Sequence, residues 1–335
     1  MKTAQVVELE YTQKGNDNMK AIKPYTQIYG DIDGQEILKK IESCGRVCYK
    51  SESRIEEGSA EKFVTNIIKR GHEAVLEHGS FIFEVSYDFY DETLYVINQL
   101  EQECEFVSFL RFTNDTRPIV SGNVRAWRDF FKVIMKVHAQ IPNGAEEFIK
   151  NNQILFPEFQ DVEFYGHDDS FKPIKPTDLQ TDLEKLTHWD VTVKFIVDRG
   201  VSHEIVRHRI ASYCQESTRY CNYSKDDFGK EITFIVPHYL EPETEGWDIW
   251  QKAMQSCEDA YFKMLNFGST PQEARAVLPN SLKTELIMTA NIREWRSFFK
   301  LRTASTSHPQ MTEVTRPLLE DLKQLIPVLF DDITY

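Results

Sequence analysis

Residues 191–220 read VTVKFIVDRGVSHEIVRHRIASYCQESTRY and carry the clearest structural pattern in the chain. Apolar residues alternate over positions 191–197, and this alternation predicts a half-buried strand. Arg199-Gly200 then predicts a turn, and Ser202 is placed to cap a short helix that begins at His203. We therefore expect a strand, a turn and a helix just before the arginine-rich part of this segment.

Other segments carry comparable signals. Hydrophobic residues at helical spacing predict a helix from Ser59 to Arg70 that is capped by Ser59, and alternation over residues 81–87 predicts a strand. Residues 270–273, TPQE, form a capping box that starts a helix ending before Pro279. Residues 282–289 are expected to be extended, and residues 291–302 return to a helical pattern.

The pattern N-x-R-x-W-R-x-F-F occurs twice, at residues 123–131 and 291–299. We interpret it as a recurring strand-to-helix corner with an aromatic core face, because one pair of short matches does not establish a repeat protein. Between the two copies, residues 143–182 are rich in Asn, Asp, Pro and Phe and show no clear period. We expect an insertion containing loops there.

Length and composition limit the classes of protein that fit. The 335 residues suggest two domains or one large domain with insertions, and 41% hydrophobic residues exclude disordered and fibrous classes. A net charge of -14 argues against nucleic-acid binding. Residues 1–20 are polar and no apolar run is long enough to span a membrane, so we expect a cytoplasmic protein with no membrane partner.

Two basic segments stand out against this acidic background. Residues 199–220 contain four arginines and two glutamates, and residues 293–302 have a net charge of +3. Arginine offers a fixed fork of donors that suits phosphates and planar carbonyl edges. The two segments predict a phosphorylated, ring-bearing ligand. No Gly-rich dinucleotide or P-loop motif is present to hold it.

Several alternatives were weighed for residues 199–220. A solvated, salt-bridged helix end is the usual fate of such a charge run. A zinc site is excluded by geometry, because His203 and His208 are five residues apart and lie about 140° apart around a helix. The same spacing argument rejects His72 and His78, so no metal site is predicted. A thiolate nucleophile at Cys214 or Cys221 stays open, although free cysteine is more often buried. The six cysteines are expected to be reduced thiols: Cys44, Cys48, Cys104, Cys214, Cys221 and Cys257.

The sequence resembles the flavin-dependent thymidylate synthases through four ordered blocks. Arg207-His208-Arg209 followed after seven residues by Ser217 matches the R-H-R-x7-S signature. Residues 71–78 match the family's G-H-E-x-x-x-E-H segment. The C-terminal blocks are Ala274-Arg275-x-x-Leu278-Pro279, Asn291-x-Arg293 and Leu301-Arg302.

This resemblance implies methylation of dUMP to dTMP, with methylenetetrahydrofolate as carbon donor, FAD as hydride carrier and NADPH as reductant. It also implies an α+β fold with an antiparallel central sheet flanked by helices, and a homotetramer whose active sites combine several subunits. On this basis residues 25–335 form one domain, residues 90–187 form an extension that compact members lack, and residues 1–24 form a frayed or strand-like lead-in.

Carried over by position, the resemblance also implies site residues. The residues that would hold FAD are His72, Glu77, Arg207, His208, Arg209, Ile210, Asn291, Arg293 and Ser297. The residues that would surround the nucleotide are Glu204, Arg207, Gln215, Glu216, Ser217, Thr218, Arg219, Arg275 and Arg302. Arg302 is the predicted catalytic residue, because a fixed cation beside the pyrimidine favours loss of its N3 proton. Ser217 is predicted to contact the nucleotide rather than attack it, since no adjacent base is evident.

Four positions depart from the family pattern. Cys214, Glu204, Cys48 and Ser297 stand where other residues are common, and each departure places its own contact in doubt. None removes an arginine. A nucleotide- and flavin-binding regulatory protein without turnover is the alternative function.

Overall fold

The computed structural model describes residues 19–29, 36–100, 109–138, 141–142, 144–159, 162, 164–165, 171–224 and 231–335. Cys104 and most of the predicted lead-in, residues 1–18, lie outside the described residues. The helices are α1 Ile37–Tyr49, α2 Ser59–Lys69, α3 Tyr87–Leu100, α4 Val124–His138, α5 Gly144–Asn151, α6 Asp182–His188, α7 Arg199–Ile205, α8 Glu245–Asn266, α9 Pro271–Ala274, α10 Ile292–Arg302 and α11 Pro309–Leu325. The strands are β1 Lys20–Ile22, β2 Tyr25–Ile28, β3 Ser80–Val85, β4 Arg111–Thr113, β5 Ile119–Asn123, β6 Ile141–Pro142, β7 Phe164–Tyr165, β8 Phe171–Ile174, β9 Asp190–Asp198, β10 Ser212–Gln215, β11 Thr233–Ile235 and β12 Lys283–Asn291.

The predicted α+β class with antiparallel sheet is confirmed, and the antiparallel strands are divided between two four-stranded sheets. The first sheet has the order β4-β5-β3-β8 and the second has the order β10-β12-β9-β2. Every pairing in both sheets is antiparallel. Residues 90–187, predicted as an extension, supply three strands of the first sheet and the helix α4 beside it.

The two sheets are built from one repeated unit. In each unit a strand ends at an asparagine whose side chain caps the following helix: Asn123 Oδ1 accepts from the Ala126 N–H at 2.8 Å, and Asn291 Oδ1 accepts from the Glu294 N–H at 2.9 Å. The equivalent indoles donate to equivalent carbonyls, Trp127 to Phe81 and Trp295 to Val191. The N-x-R-x-W-R-x-F-F match therefore marks more than a common corner, contrary to our reading of the sequence.

Two buried histidines join the units reciprocally. His78, which ends the short 3-10 helix Glu73–His78 before β3, has Nδ1 2.8 Å from Thr289 Oγ1 of the second sheet. His188, which ends α6 before β9, has Nδ1 2.7 Å from Ser121 Oγ of the first sheet. Because each unit gives the other the same contact, the units are related by an approximate twofold axis, as in an isologous dimer.

Each unit has its own aromatic core. Trp127, Phe130 and Phe131 of α4 are fully buried against the first sheet. Trp295, Phe298 and Phe299 of α10 are fully buried with β9 and α11 in the second. Truncation of such a ring to alanine typically costs about 3–5 kcal/mol, so these helices are firmly held.

Local expectations were mostly correct. The strand β9, the capping box at Thr270 and the helix over residues 291–302 are confirmed. The cap of α10 by Asn291 was not predicted. Ser202 is not a cap: α7 begins at Arg199 because Asp198 accepts from the Val201 N–H at 2.8 Å. The predicted turn at Arg199-Gly200 is therefore the first turn of the helix. The helix α2 begins at Ser59, but its cap position is occupied by Gly58, whose φ of 76° favours glycine.

Candidate active site

The arginine-rich turn, residues 206–211, lies between α7 and β10 on the second sheet. Tyr213 fixes this turn, because its hydroxyl bonds to the carbonyls of Ile205 at 3.0 Å and His208 at 2.7 Å. The Arg207 and Arg209 side chains are exposed on it, as is Ile210 with 61% of its surface accessible. The sequence thus places two guanidinium groups and one apolar side chain on an anchored turn.

Arg302, at the end of α10, is held by two other predicted site residues. Its Nη1 donates to Glu204 Oε2 at 2.8 Å, its Nη2 donates to the Glu204 carbonyl at 3.0 Å, and its Nε donates to His208 Nε2 at 2.8 Å. Burial and the Arg302 charge lower the pKa of His208 to about 4. A neutral His208 can accept this hydrogen bond. The structure therefore brings Arg302, Glu204 and His208 together.

The predicted flavin residues of α10 stand at its first turn. The Asn291 amide caps the helix and also donates to the Thr187 carbonyl at 3.1 Å, so Asn291 has a structural role in addition to any ligand contact. The exposed Arg293 donates to Thr187 Oγ1 at 2.8 Å, a neutral partner, and its charge also acts on the adjacent Glu294 carboxyl. Ser297, also exposed, donates to the Arg293 carbonyl at 3.2 Å.

His72 and Glu77 lie on the first unit. Glu77 accepts from Arg125 Nη1 at 2.9 Å and from Ser212 Oγ at 3.1 Å, which ties it to the extension and to β10. His72 is exposed, and its Nδ1 lies 3.4 Å from the Tyr49 hydroxyl. The contact from Arg125 could not be read from the sequence, because it depends on how the extension packs.

The predicted nucleotide residues after β10 divide into buried and exposed ones. Gln215 donates to Ser202 Oγ at 2.9 Å, and the buried Glu216 accepts from Tyr223 and Lys283 at 3.0 Å each. Both side chains therefore support the strand internally, and their contact with the nucleotide stays a prediction.

Of the remaining residues of this set, Arg219 and Arg275 are exposed, Ser217 is half-buried and Thr218 is buried. Thr218 Oγ1 is 3.5 Å from Arg275 Nη1, and the exposed Arg219 has its guanidinium carbon 4.5 Å from the ring centre of Tyr220. Ser217 Oγ accepts from the Arg219 N–H at 3.3 Å. No side-chain base bonds to the Ser217 hydroxyl within the part of the chain that the structure describes, and its role as a nucleotide contact stays a prediction.

The open cysteine alternative is disfavoured by burial. Cys214 shares a hydrogen bond with Cys48, and that bond together with burial raises the pKa of the Cys214 thiol well above its ordinary value. Burial raises the pKa of Cys221 to about 12. Neither thiol is a thiolate at neutral pH, so a nucleophile at these positions is not supported.

Sequence reasoning missed a buried charge cluster beneath β10. Glu285 of β12 pairs with Lys50, Lys194 and Lys283. Burial alone would raise the pKa of Glu285, but the three ammonium groups outweigh it and hold the pKa far below its ordinary value. The alternating polar positions on β9 and β12 were the available signal, and the cluster joins α1, β9 and β12.

The residues predicted to hold flavin fit such a group chemically. Arg207, Arg209 and Arg293 present exposed guanidinium groups, which suit a pyrophosphate. The exposed Ile210 offers an apolar surface that suits a planar ring. Arg207 and Arg209 lie on the turn before β10, and Arg293 lies at the start of α10, where it donates to Thr187.

Comparison with known proteins agrees with this geometry. The family model for thymidylate synthase complementing protein matches residues 33–90 and 182–328, which together make up more than half of the chain. The chain therefore belongs to the family of thymidylate synthase complementing proteins. Residues 91–181, which include β4, β5 and α4, fall between the two matched segments.

Named relatives cover part of the chain. A flavin-dependent thymidylate synthase from Geobacter sulfurreducens is 35% identical over 136 residues, 41% of this chain and 57% of the relative. One from Pyrococcus furiosus is 31% identical over 164 residues, 46% of this chain and 66% of the relative. One from Sulfurisphaera tokodaii is 37% identical over 134 residues, 40% of this chain and 50% of the relative. The chain thus spans between half and two thirds of these relatives.

A solved structure also overlaps this chain loosely. The UMP/dUMP methylase PolB from Streptomyces cacaoi bound with 5-Br dUMP is 23% identical, with a TM-score of 0.36 over 42% of this chain and 69% of that one. An overlap this loose carries no weight for the site. Among the described residues, no helix combines the length and the apolar character needed to cross a bilayer.

Proposed function

We propose that this protein methylates dUMP to dTMP, using methylenetetrahydrofolate as carbon donor and FAD with NADPH as the source of hydride. Family membership supports the reaction class. The observation that carries the proposal is the Arg302 cluster, in which a predicted catalytic residue is held by a predicted substrate residue and a predicted flavin residue. Bound flavin would supply hydride transfer, and the protein would bind, orient and polarise.

The geometry of Arg302 suits a fixed cation at the pyrimidine. A guanidinium has five N–H groups, and one on each of its three nitrogens bonds to Glu204 or His208. One N–H on each terminal nitrogen is left for a ligand. These two donors can bond to a pyrimidine carbonyl and stabilise the negative charge that forms on the ring when the N3 proton is lost, although the Glu204 carboxylate balances part of the Arg302 charge. Glu204 and the neutral His208 keep the fork from rotating.

Binding of the other groups is proposed by position. Arg207, Arg209 and Ile210 would contact flavin from the anchored turn, with Arg293 on a separate helix end. Thr218, Arg219 and Arg275 would contact the nucleotide phosphate. Because the arginines of this set are exposed on different elements of one chain, we propose that a homotetramer completes the site. We also propose that the protein works in the cytoplasm.

The test uses the purified protein and its Arg302→Gln variant. The native protein should show a flavin absorption band, bleach with NADPH under anaerobic conditions and then form dTMP from dUMP and methylenetetrahydrofolate. Arg302→Gln should lower kcat by about 100-fold or more while retaining flavin, because it removes a preorganised charge at the reacting ring. Arg316→Gln is the matched control, since Arg316 donates to the Thr303 carbonyl and lies over the Tyr335 ring, and no bond to Glu204 or His208 is seen among the described residues.

Two results would contradict the proposal. A protein that takes up no FAD on reconstitution would remove the flavin assignment. A protein that binds FAD and dUMP but forms no dTMP after chemical reduction with dithionite would be the regulatory, non-turning-over alternative. Unchanged turnover in Arg302→Gln would leave the reaction in place and remove Arg302 from the catalytic role.

A further inference from the structure

A cleft of about 360 Å³ opens between the C-terminal end of α1, α2 and the turn after β10. This volume is at the lower end of the range for ligand pockets, about 300–1,000 Å³. Its lining residues are Arg46, Tyr49, Lys50, Ser51, Arg54, Phe63, Asn66, Ile67, Arg70, Tyr220 and Asn222. None of them is on the lists of predicted flavin and nucleotide residues.

The lining is strongly basic in an acidic protein. Four of the lining residues are cationic and none is acidic. Arg46 pairs with the buried Glu42 at 2.6 Å, and Lys50 pairs with Glu285, so these two charges are balanced from behind.

Arg54 and Arg70 differ from Arg46 and Lys50 in having no carboxylate partner among the described residues. Both are exposed, and neither forms an ion pair within the ranges that the structure describes. Two uncompensated guanidinium groups at one small cleft attract an anion of at least two charges. In a chain with a net charge of -14, such a local excess requires an explanation.

Two tyrosines that line the cleft, Tyr49 and Tyr220, contact residues of the proposed active site. The rings of Tyr49 and Tyr220 are 5.6 Å apart. Tyr49 also reaches His72, at 3.4 Å, and Tyr220 lies beneath the Arg219 guanidinium. His72 is a predicted flavin residue and Arg219 a predicted nucleotide residue, so a ligand bound near them could extend into the cleft.

We propose that this cleft binds the multiply charged anionic end of a cosubstrate whose reactive end lies at the flavin. The proposal rests on the proposed function. Two cosubstrates of that reaction carry such an end: the folate donor has a glutamyl tail with several carboxylates, and NADPH has a 2′-phosphate. The guanidinium groups of Arg54 and Arg70 bind the anion, and the two tyrosine rings line the path toward it.

The experiment compares two double variants of the full chain. Arg54→Gln with Arg70→Gln removes the two uncompensated charges, and Lys62→Gln with Lys69→Gln removes two exposed charges of α2 outside the cleft. Binding of γ-linked triglutamate and of adenosine 2′,5′-bisphosphate is measured by calorimetry at low salt. An exposed charge pair contributes up to about 1 kcal/mol, or about five-fold in Kd, so the arginine variant should bind one probe about 25-fold more weakly. The lysine variant should bind within about two-fold of the native protein, because its charges lie outside the cleft.

The outcomes separate the two sources and the two proposals. The cleft is assigned to folate if the arginine variant loses triglutamate binding and its KM rises, relative to the native protein, for the polyglutamylated donor more than for the monoglutamylated donor. Loss of bisphosphate binding, with loss of preference for NADPH over NADH, assigns it to the reductant. Equal affinities in native and arginine-variant proteins for both probes overturn the proposal. If a probe binds in a manner that depends on Arg54 and Arg70 but the protein forms no dTMP, the anion site is supported and the proposed function is refuted.

Discussion

The two buried histidines at the interface of the repeated units predict how stability depends on pH. Burial lowers the pKa of His78 to about 3, and burial together with the Arg111 charge lowers that of His188 to about 3. An unfolded histidine titrates near pH 6.5. Below that pH the unfolded chain binds more protons than the folded chain, so acidification destabilises the fold from about pH 6.5 down to about pH 3.

The magnitude follows from the two pKa values. At pH 5, about 1.5 pH units below the unfolded pKa, protonation of each histidine stabilises the unfolded chain by about 2 kcal/mol. The folded chain gains almost nothing, because its histidines stay neutral at this pH. Two histidines therefore remove about 4 kcal/mol between pH 7.5 and pH 5, a large part of the roughly 5–15 kcal/mol that stabilises a typical domain. Above pH 7 the two side chains contribute no pH dependence.

Urea denaturation at pH 7.5 and pH 5.0 measures this effect. Other groups titrate over the same interval, so the informative quantity is the difference between the native protein and the variants His78→Gln and His188→Gln. Each variant should lose about 2 kcal/mol less on acidification than the native protein does, whatever its stability at pH 7.5. The exposed His238→Gln serves as the control and should behave as the native protein. If all four proteins lose the same free energy on acidification, the two histidines are not buried in neutral form and the reasoning fails.

Three further substitutions test the contacts around α10 and between the sheets. Asn291→Ala removes the cap of α10 and should lower the free energy of unfolding by about 1 kcal/mol, measured by urea denaturation; no change would mean that the cap is dispensable. Arg111→Met leaves the Asp190 carboxylate, whose side chain is only 9% exposed, without its two-pronged partner and should cost about 3–5 kcal/mol in the same measurement, whereas a loss below 1 kcal/mol would show that Asp190 is solvated. Thr187→Glu places a carboxylate beside Arg293 and should weaken FAD binding about ten-fold in fluorescence titration, and an unchanged Kd would argue that Arg293 does not contact the cofactor.

Local structure could be predicted from the sequence where a capping residue determines where a helix begins. Thr270 starts α9, as its capping box indicated, whereas the helical pattern located α10 without identifying Asn291 as its cap. Two candidate caps compete at α7, where Asp198 and Ser202 are four residues apart. Asp198 is the cap because it ends β9 in extended geometry, and Ser202 then donates to the Arg199 carbonyl within the helix.

The repeated unit could not be recognised from the sequence, because little of it is encoded in identical residues. At equivalent positions the histidine partners are Thr289 and Ser121, and the residues that follow His78 and His188 are Gly79 and Trp189. Equivalent backbone bonds nevertheless form: the Val124 N–H donates to the Gly79 carbonyl and the Ile292 N–H to the Trp189 carbonyl. This strand-and-helix geometry depends on the register of the backbone and on which positions are buried. Many different sequences can meet both requirements, so the two units share few identical residues.

One difference between the two units bears directly on function. Arg125 and Arg293 hold equivalent positions in the first turn of α4 and α10, and each bonds to the residue that precedes the buried histidine of its unit. In the first unit that residue is Glu77, whose carboxylate neutralises Arg125. In the second unit it is Thr187, whose hydroxyl satisfies one N–H and leaves the positive charge of Arg293 in place. An anionic cofactor is attracted by a guanidinium that bonds to a hydroxyl and gains much less from one already paired with a carboxylate. The two units therefore provide two similar helix ends, and the change from a carboxylate to a hydroxyl leads us to predict that the second of them is the better anion site.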